Sequence, residues 1–461
     1  MFKLSVVAFL VFSVVIGAEL WVRSHRPAPP VKPQLTVAVP KPAPKKPAEP
    51  PPAPPTCDGP KADPRPVLEI CKNPTELQRK SLQELADSVS LAYDPKHCDS
   101  LYSVLRQKKS LSLYSFDSLD PLKTITQLEK LVLSGVESCD FSMLAQMTSL
   151  KDLKVSFSPF IDLSPLSKLV NLRRLVLGAD RFVDLKPLSS LTELTELNLG
   201  GNSLLNIKPL ATLTNLISLD LGGNQIKDIE PLRGMTKLQT LDLGVNPLVS
   251  LGTRASEKTS NPLAPLERMV SLKTLRLKHV GGGKLKDLPN LKNLQQLERF
   301  EAEENQISDL SPLSQNKALK WLSLTRNQIV GLSPLAGLTA LEEVYLQSNQ
   351  INSLEAARSW KELWILNIYE NQVEDVSPLA GLPKIMTLIA YENPIKEIMS
   401  LSRSPNLWDI GVDSRLREDM LTLGALYLER IAADPNHRDH GFTTTQEVYK
   451  SHLDPYGKPT H

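Results

Sequence analysis

One spacing governs most of this 461-residue chain. Apolar residues recur at Leu128, Leu150, Leu172, Leu194, Leu216 and Leu238, and again at Leu272, Leu297, Leu319, Leu341, Leu363, Ile385 and Leu407. The step is 22 residues, lengthened to 34 after Leu238 and to 25 after Leu272. A unit such as Leu216-Ile-Ser-Leu219-Asp-Leu221-Gly-Gly-Asn224-Gln-Ile226 alternates apolar and polar residues, meets an asparagine, and ends at Ile229, Pro231 and Leu232. The alternation predicts a short strand with Leu219 and Leu221 turned inward and Ser218 and Asp220 outward. A unit this small cannot bury its apolar face alone, so neighbours must stack into a solenoid.

The chain must turn after each strand, and a buried asparagine can satisfy the backbone groups that the turn leaves unpaired. Asn202, Asn224, Asn246, Asn305, Asn327, Asn349, Asn371 and Asn393 occupy that position. Pro121, Pro165, Pro187, Pro209, Pro231, Pro265, Pro312, Pro334 and Pro378 fill a second fixed slot, where the proline sets the backbone before the chain returns and the next leucine buries. At these residues the sequence resembles the leucine-rich repeat family, in its 22-residue class with a Pro-Leu signature, as in bacterial internalins. The resemblance covers about Arg106–Arg415, with Arg106–Gln127 a degraded first unit. Val136, Ser158, Asp180, Val280 and Arg415 replace the asparagine, so those turns must be satisfied differently. The resemblance implies an α/β repeat solenoid of about fourteen repeats, a horseshoe with a concave parallel β-sheet used for protein binding.

Such a stack needs covers at both ends. Residues 67–105 form the first, where Leu77, Leu82, Leu85 and Val89 have helical spacing and Thr75 is placed to cap. Residues 416–435 form the second, through Met420, Leu423, Leu426, Tyr427 and Ile431 up to Pro435, and the tail 436–461 lacks apolar periodicity. In an exported chain, Cys57–Cys71 could close a small loop and Cys98–Cys139 could staple the cap to the first repeats; the alternative is four unpaired thiols.

The amino-terminal end has a different character. A fifteen-residue run from Leu4 to Ala18 follows Lys3, which suits a signal-peptide core, while Leu4–Val22 with Trp21 at its edge would suit a short signal-anchor. Residues 1–22 are therefore a signal peptide or a membrane anchor, and both readings export the chain. Residues 23–66 hold sixteen of the 37 prolines, with Lys32, Lys41, Lys45 and Lys46 among them. That composition cannot bury a core and predicts a disordered spacer that samples extended polyproline geometry. It resembles the stiff Pro-Lys segments that hold bacterial envelope proteins away from a membrane.

Chemistry is sparse. The formal charge of +2, from 53 basic and 51 acidic residues, provides no field that would draw in nucleic acid. Gly281-Gly282-Gly283-Lys284 lacks the spacing of a phosphate loop. His437, His440, His452 and His461 give only a weak metal signal in the tail. Asp220 and Asp242 share a slot near Asn198, but no nucleophile or further ligands accompany them. We expect no cofactor, metal, small-molecule substrate or catalytic residue. The family's ligase-type members carry a further cysteine-bearing domain, and the residues after Arg415 contain no cysteine.

Positions two, four, six and seven after each first leucine should line the concave face. That face is bare early, at Gly178, Gly200, Gly201, Gly222, Gly223 and Gly244, and then turns basic at Arg276, Lys278, His279 and Arg299. Glu301, Glu303 and Glu304 come next, followed by Trp321, Tyr345, Tyr369 and Tyr391, edged by Arg326, Glu370 and Glu392. Trp, Tyr and Arg on a rigid sheet are the materials of protein-binding hot spots. The plainer alternative is tyrosine chosen for strand propensity and cross-strand packing. The sequence thus predicts an exported repeat protein that binds another protein through this face, the partner being unidentified. An envelope brace spanning membrane to outer layer and an intracellular enzyme-regulating repeat protein are the competing readings.

Overall fold

The computed structural model describes residues 63–138, 140–158, 162–178, 184–248 and 261–433. The expectations for the apolar amino-terminal run, the spacer up to residue 62, Cys57, Cys139, Asp180 and the tail fall on residues outside these, as does most of the insertion in the 34-residue step after Leu238. Fourteen strands form one parallel sheet in sequence order. They are β1 (Ser110–Tyr114), β2 (Lys130–Ser134), β3 (Asp152–Ser156), β4 (Arg174–Gly178), β5 (Glu196–Asn198), β6 (Ser218–Asp220), β7 (Thr240–Asp242), β8 (Thr274–Arg276), β9 (Arg299–Glu301), β10 (Trp321–Ser323), β11 (Glu343–Tyr345), β12 (Ile365–Asn367), β13 (Thr387–Ile389) and β14 (Asp409–Gly411). The register holds through the irregular steps: Asp220 pairs with Asp242, Asp242 with Arg276, and Arg276 with Glu301. Both insertions are therefore accommodated away from the sheet.

The leucines make a continuous core on one side, with Leu219, Leu221, Leu241, Leu243, Leu322 and Leu324 fully buried. Opposite the strands, short 3-10 turns carry the prolines at their first positions, where a missing N–H costs no hydrogen bond. An acidic or amide side chain two residues before many of these turns caps them. The carboxylates of Asp162, Asp228, Asp309 and Asp375 accept from the N–H of Ser164, Glu230, Ser311 and Ser377 at 2.7–2.9 Å.

Each asparagine ties two repeats together. The Asn224 Nδ2 donates to the carbonyls of Leu221 in its own repeat and of Leu199 one repeat back, both at 2.9 Å, while its Oδ1 accepts from the Leu204 N–H at 3.0 Å. Asn327 does the same with Leu324, Ala302 and Ile307. Where the asparagine is missing, substitutes act: the Ser158 Oγ accepts from Val136 N–H at 3.2 Å, and Asn305 accepts from Val280 N–H at 3.1 Å across the three-residue insertion. On the far side, Asn316, Trp360 and Ser404 replace a core leucine. Each donates to a leucine carbonyl 25 residues back, that of Leu291, Leu335 or Leu379.

Three helices cover the first strand: α1 (Val67–Lys72), α2 (Glu76–Asp87) and α3 (Cys98–Leu105). Thr75 and Gln78 form a reciprocal capping box at the start of α2. The helical spacing from Thr75 to Arg106 breaks between α2 and α3, where Ser90 takes a positive φ and Pro95 opens a new turn. Gln78 Nε2 donates to Asp120 Oδ2 at 3.1 Å and the Tyr102 hydroxyl to the Pro121 carbonyl at 2.8 Å, locking the cover to the first repeat. The cysteine pairing differs from the expected one. Cys71 bonds to Cys98, joining α1 to α3 with Cα atoms 6.0 Å apart. The Cys57–Cys71 and Cys98–Cys139 pairings are thus corrected: the cover folds so that α1 packs on α3, and both sulfurs sit in its core. At the other end, among the described residues, one helix, α4 (Arg417–Ala433), packs against the turns Met399–Arg403 and Ser414–Leu416, with Met420 and Leu423 buried.

Two outcomes test this account. Asn327→Ala orphans buried carbonyls and one N–H, so it should cost about 3 kcal/mol in urea unfolding, while Gln328→Ala, on the surface, should cost less than about 0.5. Replacing Cys71 and Cys98 by serine opens a loop spanning 27 residues. From loop entropy this should destabilise the amino-terminal cover by about 3.5 kcal/mol, seen as faster amide exchange in α1–α3 than in β8–β12.

Candidate functional site

The pleat presents positions two and four of each repeat on the open face, and position six follows where the strand ends. Position seven is the strand exit, and there the backbone turns left-handed in repeat after repeat. Gly135, Gly201 and Gly223 accept this freely, but Phe157, Val245, His279, Glu304, Arg326, Ser348, Glu370 and Glu392 are held in it too, at φ of 52–56°. A side chain there costs about 1 kcal/mol or more, so the turn is imposed by its surroundings and not by local preference.

In the middle of the array, positions four and six work as a pair. The Asn198 Oδ1 accepts from Gly200 N–H at 3.0 Å, Asp220 Oδ1 from Gly222 N–H at 2.9 Å, and Asp242 Oδ1 from Gly244 N–H at 2.8 Å. The glycines leave room for these side chains: a Cβ on Gly200 or Gly222 would lie 3.1 Å from the next repeat's carboxylate, which would have to shift. These carboxylates serve the backbone, and among the described residues no group of three or more His, Cys, Asp or Glu is placed to hold a metal. Burial, with Asp220 alongside, raises the Asp242 carboxyl above its ordinary range.

The charges on this face mostly pair with one another. Lys130, Asp152, Arg174 and Glu196 form an alternating ladder across β2–β5, at 2.9–3.6 Å. Arg276 and Arg299 both donate to Glu301 Oε1, at 3.0 and 2.6 Å. Lys278, His279 and Arg326 surround Glu304 at 3.3–3.6 Å. Glu303 is only 3% exposed and accepts from the Ser323 hydroxyl at 2.6 Å, which withdraws it from the surface.

The aromatic residues continue this network. The Arg299 guanidinium lies 3.6 Å from the centre of the Trp321 ring. Trp321 meets Tyr345 with ring centres 5.3 Å apart, tilted by 40°. Trp321 Nε1 and the Tyr345 hydroxyl both donate to Glu343 Oε2, at 3.2 and 2.9 Å. Burial and this neighbouring carboxylate push the Tyr345 phenol above its ordinary range. Arg276, Glu301, Arg299, Trp321, Glu343 and Tyr345 thereby form one connected group across β8–β11. The Tyr369 hydroxyl donates to Glu392 Oε1 at 2.7 Å, and the Tyr391 ring lies against Gly411, where a Cβ would fall 2.5 Å from it. Glu343 was missed by the sequence reading. The signal was present, since it stands at position two beside Trp321 in the β10–β11 register.

A family model of leucine-rich repeats in two copies matches residues 214–255 and 317–359. Among solved structures, an internalin of Listeria monocytogenes, InlF, is similar with 28% identity and a TM-score of 0.56, covering 70% of this chain and 96% of that one. The matched segments are leucine-rich repeats, and the array has the fold of a leucine-rich repeat solenoid. The plant peptide hormone receptor RGFR1 in complex with RGF2 shares the fold at 18% identity and TM-score 0.51, covering 67% of this chain and 52% of that one. TLR13 in complex with ssRNA13 shares it at 20% identity and TM-score 0.50, covering 68% and 51%. No curated protein matches the sequence. In this fold the sheet is a constant frame and the side chains on its open face differ repeat by repeat.

The Asp220–Asp242 pair gives a test of the electrostatics. Asp242→Asn keeps an acceptor for the Gly244 N–H, as Asn198 does for Gly200, and removes a desolvated charge. A carboxyl whose pKa is raised by folding favours the folded state when protonated, and that advantage is lost as pH rises through its folded pKa. The variant should therefore melt higher than the parent at pH 7, with the difference shrinking as pH falls through the raised folded pKa and gone near the ordinary carboxylate value of about 4.

Proposed function

We propose that the chain is an exported protein that captures another protein on the open face of its sheet, centred on Trp321 and Tyr345. One observation carries this reading: the connected Arg299–Trp321–Glu343–Tyr345 group sits half-exposed on a rigid sheet. Aromatic and arginine side chains held in place by neighbours lose little freedom on binding, which is what makes hot spots strong. Leucine-rich repeat proteins of this kind mediate protein binding, and the internalin similarity supports the same role here. Arg276, Arg299 and Glu301 hold the patch in register, and Lys278 and Arg326 edge it; buried Glu303 supports it from beneath. We assign no catalytic role: the Asp220 and Asp242 carboxylates are engaged by their strand-exit turns.

Two features support export. The apolar run from Leu4 to Ala18 has the length of a signal core, and the Cys71–Cys98 disulfide belongs to an oxidising compartment. The disulfide weighs against the intracellular regulator. Among the described residues no helix is long and apolar enough to cross a membrane, so anchorage would rest on the amino-terminal run. An envelope brace remains the second reading, favoured by the Pro/Lys-rich spacer.

Capture from an envelope extract separates these readings. Trp321→Ala and Tyr345→Ala should each weaken recovery of a partner by about tenfold or more, with the array's melting point nearly unchanged. Lys154→Ala, on the same face but far from the patch, should leave recovery unchanged. Unaltered capture by both aromatic variants would remove the patch from the account.

A further inference from the structure

The last repeats of the open face differ from the rest in one respect. Elsewhere on this face carboxylates are matched by cations, as in the β2–β5 ladder and around Glu301 and Glu304, or, like Asp220 and Asp242, are engaged by strand-exit N–H groups. Glu343, Glu370 and Glu392 make no ion pair among the described residues: Glu343 accepts from Trp321 and Tyr345, Glu370 from the Ser348 hydroxyl, and Glu392 from Tyr369. Glu370 and Glu392 are exposed. Three uncompensated carboxylates thus border the aromatic residues at this end.

The aromatic residues also have a direction. Trp321 is at position two of its repeat, Tyr345 at position four of the next, and Tyr369 at position six of the one after. Between backbone positions each step crosses one strand and advances two residues, about 8 Å on the diagonal, with the Trp321 and Tyr345 rings leaning together to 5.3 Å. Tyr391 extends the row by one more strand, beside Glu392. One turn of polyproline II advances about 9 Å in three residues, close to this step. The donors of the row are already committed, since the Trp321 N–H and the Tyr345 hydroxyl share Glu343 and the Tyr369 hydroxyl is on Glu392. What remains available is ring surface bordered by negative charge. This suits a ligand that needs no hydrogen bonds to its backbone and presents apolar rings and cations.

Resting on the protein-capture reading above, we propose that the occupant of this diagonal is an extended, proline-rich segment of a partner protein carrying lysine or arginine. Prolines pack against the Trp321–Tyr345 pair and against Tyr369, one per turn of the segment, as aromatic-lined grooves receive polyproline helices elsewhere. The basic side chains between them point to Glu343, Glu370 and Glu392. Arg299, one strand before Trp321 and stacked on its ring, marks the β9 end of the diagonal.

The test is titration of the full chain with a fluorescent peptide of about twelve residues, with proline at every third position and lysines between. Saturable binding is expected, weakened about tenfold or more when the prolines become alanine or the lysines glutamate, and by Trp321→Ala. The double variant Glu370→Gln with Glu392→Gln, at exposed positions, should weaken binding about threefold or more and flatten its salt dependence without altering the fold. Absence of binding to the parent chain overturns the proposal, as does equal affinity for the proline-free peptide, which would show charge attraction alone. The two levels separate cleanly. Loss of partner capture in Trp321→Ala with no peptide binding overturns this ligand class and keeps the capture reading, whereas capture and peptide binding that both ignore Trp321→Ala overturn both.

Discussion

The asparagine at each strand exit is the interaction on which this architecture depends. A chain that turns inward after three residues of strand strands its own carbonyls in an apolar interior, where each lost hydrogen bond costs about 1–3 kcal/mol. One amide answers for two repeats at once, donating to carbonyls in both and accepting an N–H from the earlier one. Because every amide bridges a boundary, cohesion is distributed along the array and no repeat has a complete interior of its own. The same amides follow a strand-exit turn at which valine, arginine and glutamate all adopt a left-handed backbone. Chemistry at that position is thereby released from the needs of the fold.

Parallel sheets are usually covered on both faces, and an open one must make its exposed side chains compatible with water. This sheet does so by pairing charges across neighbouring strands, from the Lys130–Glu196 ladder to the cluster around Glu304. Surface pairs of this sort contribute little stability each, but they leave few unmatched charges to attract partners indiscriminately. Against that background the aromatic row with its three carboxylates is a local exception, and the cation–π contact of Arg299 with Trp321 marks the boundary between the two regimes.

How far the sequence could be followed depended on whether a position repeats. The leucines, asparagines and prolines were legible because each occurs many times in one register, so the strands, the turns and the open face followed directly. Positions two, four and six also placed Trp321, Tyr345, Tyr369 and Tyr391 on that face. Features that occur once were harder to read. The Cys71–Cys98 bond depends on how three short helices pack, which spacing does not encode. Glu303 has the outward position of its column and is nevertheless buried against Ser323, since lateral neighbours decide exposure as much as the pleat does. Asn316, Trp360 and Ser404 interrupt the leucine slot, and their purpose appears only when carbonyls 25 residues away come within reach.

The two ends of the array are fastened unequally. At the start, three helices, a disulfide and the buried Gln78–Asp120 contact clamp the first repeat, while at the far end, among the described residues, one helix rests on the last two turns. In a stack held by nearest-neighbour contacts, opening begins where the fewest contacts must break, so this array is a zipper with one fixed end. Its loose end is the one that carries the aromatic row. A ligand lying across β10–β13 would therefore act as a second clasp, tying the fraying repeats to the firm ones, so that occupancy and the rigidity of the whole array rise together.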